Sequence, residues 1–250
     1  MPFSGFVWFL FMLLPLVFLQ RLLHREIQAV TLLITRNIQL TLALFSIVFF
    51  PGVFLHEVSH FLTAKILRVR TGKFSVIPKP LPNGRLQMGY VETEKTDFIR
   101  DSLIGLAPLI AGTLFVAYAG IVQLQLNTLW DVLRNGQVEL FWMGVGLLPT
   151  IPDFYLWFYL TFAVSSTMLP SESDRHAWLP LMIWAGVLFA LAILSGAGAW
   201  MLENLAPFFD NLLNSVALLF GLSNLVHIIL LFPFFVLHRV LVHFMKIDVK

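Results

Sequence analysis

The chain has 250 residues, of which 58% are hydrophobic and only 12% are charged. A water-soluble domain of this size is about a quarter charged, so the composition excludes one and implies a protein whose first partner is the lipid bilayer. Having no cysteine excludes disulfides and thiol chemistry, and a net charge of +2 gives no footing for nucleic acid.

A spanning helix needs about 20 mostly apolar residues, and the sequence predicts about six. The first, Phe3–Leu19, has no Lys or Arg ahead of it and no small-residue cleavage site, so a retained helix is expected rather than a cleaved leader. Arg21–Arg36 follows as an interfacial amphipathic segment. The second span is Gln39–Ile66 and the third Ser102–Gln123. Phe141–Leu148 is apolar but too short to cross, and is expected to lie at the interface or to re-enter. The fourth, fifth and sixth spans are Phe154–Leu169, Trp178–Trp200 and Leu212–Leu237. Trp130, Trp178 and Trp200 sit near helix ends, as interfacial anchors do. The expected fold is all-α within one membrane domain: residues 1–38 an N-terminal helix with its interfacial segment, 39–178 a core, and 179–250 the C-terminal helices.

Eight of the 16 Lys and Arg residues cluster around the loop between the second and third spans: Lys65, Arg68, Arg70, Lys73, Lys79, Arg85, Lys95 and Arg100. The positive-inside rule assigns that loop to the cytoplasm. Counting onward puts the tail with Arg239, Lys246 and Lys250 on the same side. Arg21, Arg25 and Arg36 fall on the other side, against the rule. Within the loop, Gly72–Pro78 and Arg85–Val91 read as strands flanking Asn83-Gly84, the turn pair typical of a hairpin, so a β-hairpin is expected over 72–92.

The second span ends in VFLHEVSHFLTAK, Val53–Lys65. Ionisable residues at membrane depth are costly and mark function. On a helix His56 and His60 share one face, with Glu57 beside them. This is the H-E-x-x-H pattern, in which two imidazoles bind zinc and the glutamate is the general base. A catalytic zinc takes three protein ligands and makes water a nucleophile near neutral pH. Glu57 would move its proton to the leaving amine. The third ligand is expected from the end of the fourth span, FAVSSTMLPSESDRHAW, where Asp174 is favoured over Glu172 and His176. Pro51-Gly52, one turn ahead of His56, is read as a kink that admits water or as a packing bend. Asn224 and His227, three apart in the sixth span, are read as helix-packing residues.

HEVSH in one membrane helix and an LP…D motif (Leu169, Pro170, Asp174) in a later one resemble the site-2 protease family of intramembrane zinc metalloproteases. GLAPLIAG, Gly105–Gly112, resembles the family's motif in the helix after the zinc helix, and the hairpin resembles its re-entrant β-loop. The resemblance covers Gln39–Trp178. It implies one zinc per chain held by His56, His60 and Asp174, Glu57 as the catalytic acid/base, a transmembrane protein as substrate, and cleavage at the cytoplasmic side of a prokaryotic cell membrane. Thr167 stands where the family has Asn, and Arg175 follows Asp174 where the family has Gly; Ser165, Ser166 and Thr167 are candidates to polarise the scissile carbonyl instead. An unwound substrate would add as a β-strand to Phe74, Ser75, Val76 and Ile77 or to Gln87, Met88, Gly89 and Tyr90. Two alternatives stand beside the protease: an inactive relative that binds membrane helices, and a transporter using His56, Glu57 and His60 as a metal or proton relay.

Overall fold

The computed structural model describes residues 4–80 and 86–246. Among the described residues the fold is mainly helical, and five helices are long and apolar enough to cross a membrane: Ser4–Thr35, Ile38–Ile66, Phe98–Gln123, Trp178–Asn204 and Ala206–Met245.

Helix α1 runs unbroken over Ser4–Thr35, so the expected stop at Leu19 and the separate interfacial segment Arg21–Arg36 are corrected. The charged stretch stays helical because its apolar residues keep helical spacing: Leu16, Leu23, Ile27, Val30 and Leu33 are all buried. Glu26, in the middle of that face, accepts a 2.6 Å hydrogen bond from His238 Nδ1. The chain turns at Arg36, and Asn37 caps α2 (Ile38–Ile66) by accepting from the backbone N–H groups of Gln39 and Leu40. The expected second span is thus met to within one residue.

The hairpin follows. Strand β1 (Thr71–Ser75) pairs antiparallel with β4 (Tyr90–Thr93), Phe74 opposite Val91. Farther out, β2 (Lys79–Pro80) pairs with β3 (Leu86–Gln87), Lys79 opposite Gln87. The Asn83-Gly84 turn and Arg85 lie outside the described residues. The hairpin dips back along α2: Phe74 packs edge-on against Phe61, and Met88 packs on the cluster formed by Leu23, Phe45, Phe49, Val53, Phe162 and Val226.

Helix α3 (Phe98–Tyr118) begins four residues before the expected span, because Asp97 caps it; a five-residue π-turn continues it to Gln123. Two short helices, α4 (Leu126–Arg134) and α5 (Val138–Leu147), lead into α6 (Phe154–Ser165). The fourth expected span, Phe154–Leu169, is corrected: α6 has 12 residues, about 18 Å at 1.5 Å per residue, too short to cross alone. It meets the segment Val138–Thr150 at 96°, a broken or re-entrant arrangement. Helix α7 (Trp178–Ala192) passes through a break at Gly196, φ +91°, into α8 (Gly198–Asn204), and α9 (Ala206–Met245) closes the chain.

Helices α1 and α9 lie parallel. The Asp210 carboxylate holds the start of α1 at Ser4 and Gly5, Asn224 donates to the Met12 carbonyl, and His238 meets Glu26, in that order along both helices. The parallel pair corrects the placement of the tail: the end of α9 lies with the α1–α2 turn, opposite the hairpin. Arg25, Arg36 and Arg239 therefore gather at that end.

Two glycines set the packing around the site. A Cβ at Gly52 of α2 would lie 2.2 Å from the Ala163 carbonyl oxygen, and one at Gly105 of α3 2.0 Å from that of Asp174. Of the two readings of Pro51-Gly52, close packing of α2 on α6 is the one with a visible contact.

Candidate metal centre

His56 and His60 stand one turn apart on α2, their ring centroids 4.8 Å apart. His56 Nδ1 lies 2.7 Å from the Thr167 carbonyl oxygen, and His60 Nδ1 lies 2.8 Å from that of Ile104. A carbonyl only accepts, so each Nδ1 carries the ring hydrogen and each neutral ring presents a bare Nε2 lone pair. Metal-binding histidines are oriented in this way, the second nitrogen donating to a carbonyl or carboxylate.

The two Nε2 atoms face each other at 3.1 Å. Asp174 completes the set, Oδ1 at 3.2 Å from His60 Nε2 and Oδ2 at 3.6 Å from His56 Nε2. Three acceptors this close call for a positive charge among them. A tetrahedral zinc with bonds of about 2.0–2.1 Å holds its donors about 3.3–3.4 Å apart, and the three separations bracket that value. Nitrogen and carboxylate oxygen are also the donor types zinc accepts, so the residues fit the ion.

Asp174 is placed by local chemistry. Its carboxylate accepts a 2.7 Å hydrogen bond from the Ser171 backbone N–H, and its carbonyl nestles against Gly105 of α3. Burial acts to raise its pKa. Against that, the Ser171 backbone N–H stabilises the charged form and holds the carboxyl below the usual carboxylate range. It is a charged ligand in waiting.

Among the described residues, His56, His60 and Asp174 form the one cluster with metal-ligand spacing. Glu172 lines the same cavity without joining that cluster. His176 lines the cavity too but lies outside that cluster, its Nδ1 donating to the Ser173 carbonyl at 2.6 Å and its Nε2 3.4 Å from the Asp101 carboxylate.

Glu57 is buried and lines a cavity of about 1140 Å³ with the three ligand residues. The hairpin closes over it: a Cβ at Gly89 would lie 2.8 Å from Glu57 Oε1. Gln87, Met88, Gly89 and Tyr90 line the cavity; Phe74, Ser75, Val76 and Ile77 do not. The hydroxyls of Ser165, Ser166 and Thr167 are engaged elsewhere. Ser165 bonds the Phe162 carbonyl, Ser166 bonds His227, and Thr167 bonds the Ala163 carbonyl. The Thr167 contribution is its carbonyl, which no sequence motif signals.

The sequence reading did not foresee Gln20 and His24, which bring α1 to the cavity wall. Their spacing of four is a helical signal, lost by ending the first span at Leu19. No family model, curated protein or solved structure matches the chain.

Proposed function

We propose that the chain is an intramembrane zinc metalloendopeptidase of the site-2 protease type, cleaving peptide bonds of transmembrane segments. One observation carries the reading: two histidines on α2, fixed by backbone carbonyls, converge with Asp174 on a point beside a buried glutamate. A relay or a helix-binding protein has no need of all four. His56, His60 and Asp174 would hold one zinc, which supplies a Lewis acid and water activated near neutral pH.

Glu57 is the general base. It accepts a proton from the attacking water as the oxygen bonds to the carbonyl carbon, and returns it to the amide nitrogen as the C–N bond breaks. Thr167 and Ile104 hold the histidine rings still through that cycle. The hairpin has the task of receiving an unwound substrate: backbone groups freed from a helix must be satisfied away from water, and the Gln87–Thr93 stretch, which lines the cavity, is placed to pair with them. The hairpin end carries most of the basic residues, so the site opens toward the cytoplasm.

The test is Glu57→Gln, reconstituted in vesicles with a panel of single-span membrane peptides. Cleavage by the wild type should fall by about 10²–10⁴-fold, the range for a lost general base, with zinc content unchanged. Equal cleavage by both proteins would refute the assignment, and no cleavage by a zinc-loaded wild type would favour the helix-binding alternative.

A further inference from the structure

Helix α9 carries two buried polar residues three apart, Asn224 and His227. Asn224 donates to the Met12 carbonyl of α1 at 2.9 Å, a contact between two helices and nothing more. His227, with no exposed surface, does something different. Its Nδ1 donates to the Ser223 carbonyl at 2.7 Å, so its Nε2 is bare and accepts from the Ser166 hydroxyl at 3.0 Å. The Ser166 carbonyl accepts in turn from the Gln20 side-chain amide of α1.

Ser166 adjoins Thr167, whose carbonyl orients His56. This is the first residue pair after α6: their N–H groups still bond back to the Phe162 and Val164 carbonyls, while their own carbonyls accept from outside the helix, from Gln20 and His56. Two of the groups on Ser166 are fixed from outside, its hydroxyl by α9 and its carbonyl by α1. We infer that His227 and Gln20 are positioning residues of the metal centre: they clamp Ser166 so that the Thr167 carbonyl meets His56 Nδ1 and keeps the ring in the metal-binding tautomer. The helices outside the HEVSH and LPSESD segments would then tune metal affinity without touching the ion. The inference rests on the metal-centre reading above.

The test is zinc affinity of the folded, detergent-purified protein, measured by competition with a chromogenic chelator, alongside its melting temperature without metal. Removing a partner that orients a metal-binding histidine weakens metal binding by about 10–100-fold. His227→Ala and Ser166→Ala should each weaken zinc binding toward the lower end, about tenfold. His227→Gln, which places an amide oxygen near the former Nε2, should restore most of it. Asn224→Ala should lower the melting temperature comparably and leave affinity unchanged. If His227→Ala and Ser166→Ala bind zinc as the wild type does, or if Asn224→Ala weakens it equally, the clamp is refuted and His227 is a packing residue. A wild type that binds no zinc would instead overturn the metal-centre reading, and the clamp with it.

Discussion

The stretch from α2 to the loop after α6 and the stretch α7–α8 are similarly apolar and are built oppositely. In the first, the polar atoms around the metal site are paired: imidazole to carbonyl, carboxylate to backbone N–H, hydroxyl to histidine. In α7 and α8 no residue is buried. The first region must hold side chains against one another to fractions of an ångström. The second needs only to be apolar, because lipid accepts any such surface. Hydropathy cannot separate the two; close backbone approach and paired polar atoms do.

The sharpest way to test that contrast is with glycines. Gly105→Val puts a side chain into the Asp174 main chain, whereas nothing lies within 4 Å of a Cβ at Gly186 in α7. Overpacking of a tight contact costs about 1–3 kcal/mol or more, so Gly105→Val should lower the melting temperature and abolish zinc binding. Gly186→Val should do neither. Equal effects would dissolve the distinction between the regions.

Gly89→Ala probes the lid over Glu57. The three atoms nearest an added Cβ all belong to Glu57, so cleavage should fall at least tenfold while zinc stoichiometry, read by elemental analysis, stays the same. Lost zinc would mean that the hairpin shapes the metal site itself.

The smallest expected effect is electrostatic. The Arg100 backbone N–H, with that of Ile99, donates to the Asp97 carboxylate at the start of α3 and lowers its pKa below the ordinary 3.8. A depressed carboxyl stabilises the fold above its unfolded pKa, and that contribution is lost as pH falls through the folded value. Melting curves below pH 3.8 should therefore show a slightly shallower decline for Asp97→Asn than for the wild type. Parallel curves would show the cap to be electrostatically neutral.

What the sequence made legible was local. The spacing of His56, Glu57 and His60 lies within two helical turns, and α2 and the hairpin are announced by apolar runs and turn residues. Asp174 was reachable because its strand of argument needed only helix direction and a proline. Most of the misses are long-range. Arg21, Arg25 and Arg36 made the end of α1 look interfacial; Glu26 among them is held by His238, 212 positions away. Nothing near residue 227 says that it supports residue 166. The 96° bend before α6 depends on tertiary packing, so the apolar run gave no sign that the segment is broken or re-entrant. Periodicity reports which face of a helix is apolar, not which distant polar atom makes a charged residue tolerable.

The most direct test of the account is the metal content of the purified protein, wild type beside His56→Ala and Asp174→Ala. One zinc per chain is expected in the wild type and none in either variant, each still folded by far-ultraviolet circular dichroism. A folded wild type that takes up no zinc when it is supplied, or an Asp174→Ala protein that keeps it, would contradict the metal centre described here.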